Sequence, residues 1–160
     1  MNIRKATQND LARIMELYDI GRSFMRKHGN SSQWGGGYPP IELVSEDIEK
    51  GICHVCEVDG VIEGVFVFFV GQDPTYQEIY DGQWLREGES GVVHRIVSTG
   101  VVRGIGSFCM QYAYERCGNV KIDTHADNTV MQGMLEKNGF TRCGIIHLAD
   151  GSPRIAFQKI

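Results

Sequence analysis

Apolar positions in this chain change their period from stretch to stretch, and each change marks an element. Short runs rich in β-branched and aromatic residues stand at Met1–Ala6, Ile52–Val58, Val61–Val70, Val92–Val97, Val120–His125, Phe140–Leu148 and Arg154–Lys159, and each reads as a strand. Between them the spacing switches to three and four. Leu11, Ile14, Met15, Tyr18 and Met25 predict a helix ending near Lys27, and Ile105, Phe108, Cys109, Tyr112 and Ala113 predict another that stops at Gly118-Asn119. Met131, Met134 and Leu135 mark a third, closed by Asn138-Gly139, and Ile41–Lys50, entered through Pro40 and stopped by Gly51, is a fourth. Thr7-x-x-Asp10 fits a capping box, and Asp59-Gly60 is a hairpin turn. A run of strands followed by strand–helix–strand–helix predicts an α/β protein whose mixed sheet carries helices on both faces. Two connections are long and polar, Gly29–Pro40 and Gly71–Gly91, and together they hold both tryptophans, Trp34 and Trp84. Connections of that length tend to be functional.

Composition narrows the class. A chain of 160 residues, 42% hydrophobic and 22% charged, is ordinary globular material and predicts one domain over 1–160. A net charge of −4 without a basic run argues against nucleic-acid binding. The absence of an apolar signal core or a long apolar span predicts a cytoplasmic protein without membrane contact. Five scattered cysteines suit a reducing compartment. Cys53 and Cys56 match Cys-x-x-Cys, but a strand points them to opposite faces and no second ligand pair exists, so no metal is expected.

Val92–Cys117 organises the chain: a β-branched strand, a bend punctuated by Gly100, Gly104 and Gly106, then a helix. The first turn of a helix has unpaired N–H groups and a partial positive charge, and glycines let backbone close on an anion. Arg103 adds a fixed charge there. Inside the strand, adjacent His94 and Arg95 are expected on opposite faces, and Lys121, Asp123 and His125 on one half-open face of the next strand. Histidine is the side chain that exchanges protons near neutral pH.

The Arg103-Gly104-Ile105-Gly106 loop after Val-His-Arg-Ile-Val resembles the acyl-CoA signature of the GNAT superfamily of N-acyltransferases. Asp127-Asn128 with Leu135-Glu136-Lys137-Asn138-Gly139-Phe140 resembles that family's following helix and exit, and Ile3-Arg4-Lys5-Ala6-Thr7 with Asp10-Leu11 its first strand and helix. The resemblance implies a mostly antiparallel sheet with a splayed parallel pair at a CoA cleft. It implies transfer of an acetyl group from acetyl-CoA to a primary amine, on a small molecule or a peptide, and it allows a homodimer. By the same resemblance Ile96 and Val97 lie against the thioester, Val101, Val102, Arg103, Gly104, Ile105, Gly106 and Ser107 hold the pyrophosphate, and Asn128 borders the cleft. His94 and His125 are then the candidate bases. Trp34, Trp84 and Asp123 are expected to wall the acceptor's entrance. Two departures stand out. Val101 occupies the place of a usual Gln or Arg, and Leu135 stands seven residues after Asn128, where the family often carries a tyrosine. Both departures keep a second function open, an acyl-CoA sensor or pseudoenzyme without turnover.

Overall fold

The computed structural model describes all residues, Met1–Ile160. Seven strands form one sheet: β1 (Asn2–Lys5), β2 (Cys53–Val58), β3 (Val61–Gly71), β4 (Ser90–Ser98), β5 (Val120–Thr124), β6 (Thr141–His147) and β7 (Pro153–Lys159). Their spatial order is β1-β2-β3-β4-β5-β7-β6. Every neighbouring pair is antiparallel except β4 and β5. That parallel ladder has only two register pairs, Gly91 with Val120 and Val92 with Lys121. Beyond Val92 the two strands diverge and leave a wedge between them.

Four helices cover the sheet: α1 (Leu11–Lys27), α2 (Ile41–Glu49), α3 (Ile105–Cys117) and α4 (Thr129–Lys137). Strand alternation sorts the core into two layers. Cys53 and Val55 of β2 pack with Ile14, Leu17 and Tyr18 of α1 and Val44 of α2. Cys56 faces the other way, with Ile105, Cys109 and Met110 of α3. The Cys-x-x-Cys pair is therefore split between two cores, as a strand requires. Tight approach is achieved through glycine. A Cβ on Gly21 of α1 would stand 2.5 Å from Val97 Cγ2, and one on Gly64 of β3 would stand 2.5 Å from Ile105 Cγ2.

The two long connections are folded. Within Gly71–Gly91, Asp73 caps a 3₁₀ turn, Pro74–Tyr76, by accepting from the Thr75 N–H at 2.8 Å. Tyr80 then bridges to Ile145 of β6, and Trp84 sinks into a third core with Tyr76, Val92, Cys143, Ile146 and Ala156. This segment covers the face of β5 that the strand pattern leaves half-open. Lys121 is consequently buried, with its ammonium over the Trp84 ring at 4.5 Å and donating to the Gly88 carbonyl. No helix is long and apolar enough to cross a membrane.

Candidate active site

β4 is irregular where it matters. The register with β3 slips between Val65 and Val67, and Arg95 takes a left-handed φ of 49°. A bulge adds one residue and re-aims the side chains that follow. It overturns the expectation that His94 and Arg95 face opposite sides, because both reach the same cavity. That cavity, of about 470 Å³, fills the wedge between β4 and β5. Met25 of α1, Trp34 and Tyr38 of the first long segment, and Asp73 and Thr75 of the second close it.

A second cleft, of about 260 Å³, runs between α1, the end of β4, the glycine bend and α4. Its rim is apolar and exposed, through Ile20, Phe24 and Val130. Met25, Ile96 and Met131 line both spaces, so the two meet over β4 just past the bulge.

The polar groups of the wedge are held in a chain. Asp73 Oδ2 lies 2.7 Å from His94 Nε2, and its Oδ1 accepts from the Thr75 hydroxyl at 2.7 Å. Burial alone would raise the Asp73 carboxyl, but the bonds from His94 and Thr75 outweigh it and hold the group at about 2. An ionised Asp73 fixes the imidazole orientation and favours a proton on Nε2, which leaves Nδ1 as the basic nitrogen of the neutral ring. Across the wedge the Tyr76 hydroxyl donates to Asp123 Oδ2 at 2.6 Å. Burial pushes the Asp123 carboxyl up, against the pull of His94, the Tyr76 hydroxyl and Arg154. Arg95 is bidentate to Asp47 of α2, donating from Nε to Oδ2 at 3.1 Å and from Nη2 to Oδ1 at 2.9 Å, and donates to the Tyr38 hydroxyl at 3.1 Å.

The residues singled out from the sequence divide clearly. His94, Trp34 and Asp123 line the wedge, with Ile96. Ile96, Val97, Gly106 and Asn128 line the second cleft. Gly104 takes φ 84° at the start of α3 with nothing near its missing Cβ, and Arg103 beside it is exposed. Ile105 has its side chain in the main core, leaving only its backbone for a ligand. Ser107 accepts from Asn138 at 2.9 Å, Val102 packs partly against the core, and Val101 projects into solvent. Asn128 caps α4 by accepting from the Met131 N–H at 3.1 Å, and donates to Gln33.

Two assignments change. His125 lies past the end of β5 and outside both spaces, and its Nδ1 accepts from the Asp127 N–H at 3.0 Å. Trp84 is packing: its indole N–H donates to the Tyr76 carbonyl at 2.8 Å, so it supports the residue that holds Asp123 without facing the wedge. Asp73 and Arg154 are wedge residues that the sequence pattern does not single out. The Asp73-Pro74-Thr75 turn signal is readable, but its contact with a strand 21 residues away is not. No tyrosine lines the second cleft, and Leu135 is buried in the main core.

The chain is similar to several solved structures. An acetyltransferase of the GNAT family from Streptococcus agalactiae 2603 is 32% identical, with 99% of this chain and 94% of that one covered and a TM-score of 0.92. A ribosomal-protein-alanine N-acetyltransferase from Brucella melitensis is 20% identical over 100% of this chain and 99% of that one, with a TM-score of 0.65. AAC(6')-Ib in complex with ribostamycin and coenzyme A is 19% identical over 99% and 92%, with a TM-score of 0.67. A scan of protein-family models and a search of curated proteins both gave no match.

Proposed function

This chain belongs to the GNAT family of acetyltransferases, and on that premise we propose that it moves an acetyl group from acetyl-CoA to a primary amine, with His94 as the base. One observation carries the reading: the Asp73–His94 pair opens into a wedge that meets a separate cleft over the bulged strand β4. Two substrates can thus reach one point from two sides.

The second cleft suits an acyl-CoA. Apolar Ile20, Phe24 and Val130 offer walls to an extended chain, and the first turn of α3, entered through left-handed Gly104 and carrying no acidic residue, offers backbone N–H groups to phosphates. The exposed Arg103 adds charge in the absence of a cation at Val101. Acetyl-CoA, when bound, supplies an activated acetyl group on a thioester. We assign the backbone N–H groups near Ile96 and Val97, where β4 has lost its β5 partner, to the carbonyl oxygen. A CoA thiolate is a tolerable leaving group, with a thiol pKa of roughly 8.5 by analogy with cysteine, so the lack of a tyrosine in the cleft is no obstacle.

On the acceptor side an ammonium cannot attack, so a proton has to leave it. His94 takes that proton on Nδ1, and Asp73, ionised and bonded to Nε2, stabilises the imidazolium that results. Asp123 attracts the incoming cation and holds it beside His94.

The test is thiol release from acetyl-CoA over a panel of primary amines. Release with at least one amine is expected, and His94→Gln should lower kcat/KM by about 10²-fold or more while acetyl-CoA binding is unchanged. Tight acetyl-CoA binding with no release across the panel would replace this reading with that of a sensor. Undiminished turnover in His94→Gln would move the base to Asp123, whose raised carboxyl is the next candidate.

A further inference from the structure

Arginines in this protein that touch the core are matched to acids. Arg95 is bidentate to Asp47, Arg4 binds Asp10 and Glu57, and Arg22 pairs with Asp19. Arg154 is the exception. Only 7% exposed, it makes one side-chain hydrogen bond, from Nη1 to the Pro153 carbonyl at 2.9 Å, and no ion pair. It stands at the start of β7 beside the end of β5, and its side chain lines the wedge. Asp123 and Asp150 share that space without bonding to it. Its remaining N–H groups are free of protein partners and open to the cavity, within electrostatic reach of Asp123 and Asp150, and their planar fork matches a carboxylate.

We propose that Arg154 is the carboxylate-binding residue of the acceptor site, and that the acceptor is an amino acid with an apolar side chain. This rests on the transfer reading above for its amine, but the carboxylate subsite stands on Arg154 alone. Three features fix the class. The unpaired guanidinium calls for an anion. Asp73 and Asp123, beside His94, call for a cation in the same cavity. Met25, Trp34, Ile122 and Leu148 add apolar wall to the same cavity. Charge also selects among anions. The wedge holds Asp73, Asp123 and Asp150, so a doubly charged phosphate would meet more repulsion than a carboxylate. A zwitterion leaves the local charge balance as it is.

The experiment needs no turnover. Binding of L-phenylalanine, L-methionine and L-leucine to the whole protein, with CoA present, is measured by calorimetry against their amides and against phenethylamine. O-phosphoethanolamine serves as the phosphate arm. The amino acids should bind at least about tenfold tighter than the amides, in line with the loss of a charged, bidentate partner. Arg154→Gln should erase that ratio and Arg154→Lys should retain part of it. Equal binding of acids and amides by the parent protein overturns the proposal without recourse to any variant, as does preference for the phosphate arm. A folded Arg154→Gln protein that weakens acids and amides alike would make Arg154 a support for Asp123 and also overturn it. Thiol release is then read separately: preferential binding of amino acids without release leaves the carboxylate site standing and removes the transfer reading.

Discussion

At the scale of single residues, two tryptophans with the same sequence context have opposite fates. Trp34 is edge-on to Tyr18 at 5.5 Å and also lines the wedge, so it is core on one side and wall on the other. Trp84 is wholly interior, between Tyr76 and the Lys121 ammonium. Trp34→Ala should therefore raise the acceptor KM by about tenfold, with acetyl-CoA affinity unchanged. Trp84→Ala should instead cost about 3–5 kcal/mol of stability with a much smaller effect on KM. Urea denaturation alongside steady-state kinetics separates the two, and the reverse pattern would show that the segment Gly71–Gly91 contributes its indole to the acceptor. His94 presents a similar lesson. Its position in a strand was legible, but its partner was not, because Asp73 comes from a connection whose folded path depends on the Tyr80 bridge to β6.

At the scale of elements, the start of α1 is tied to two strands by one carboxylate. Asp10 accepts from Arg4 of β1 at 2.8 and 3.0 Å and from the Thr7 N–H at 2.8 Å, and Arg4 also donates to Glu57 of β2 at 2.6 Å. The Arg4 guanidinium, foremost, holds the Asp10 carboxyl at about 2, below its ordinary 3.8. A carboxyl lowered on folding stabilises the fold above its unfolded value and loses that contribution as pH falls toward the folded one. Asp10→Asn should thus cost about 1–2 kcal/mol at pH 7, allowing for partial exposure of Arg4, and the gap to the parent should close between about pH 4 and 2. A gap that persists at the acid end would assign the cost to the lost cap geometry. The Thr7-x-x-Asp10 signature made this junction legible from sequence, since it depends on residues three apart. The approach of α1 to β4 was not. Gly21→Ala should force Val97 to shift, costing about 1–3 kcal/mol and weakening acetyl-CoA binding, because both residues line the second cleft.

For the whole molecule, the second cleft draws on α1, β4, the glycine bend and α4, so its ligand should stabilise the fold as one unit. Acetyl-CoA at 100 times its dissociation constant should add about 2.7 kcal/mol, a rise in Tm of roughly 5–10 °C for a chain of this size. Gly104→Val, which strains a left-handed position, and Gly106→Val, which brings bulk to the cleft, should each reduce that rise. An undiminished rise in both folded variants would move the phosphates elsewhere. The sequence alone determined the element order, the α/β class, the glycine bend at the head of α3 and the family resemblance, because periodicity, caps and turns are local and are written in residues a few positions apart. Tertiary structure decided what the site is. The bulge at Arg95 turned His94 and Arg95 into one wedge, the folded segment Gly71–Gly91 brought Asp73 to it and Tyr76 to Asp123 while hiding Trp84 and Lys121, and the start of β7 delivered Arg154. Each of those outcomes depends on which distant segments pack together, and a side chain's direction and partner are set by that packing rather than by its neighbours in the chain.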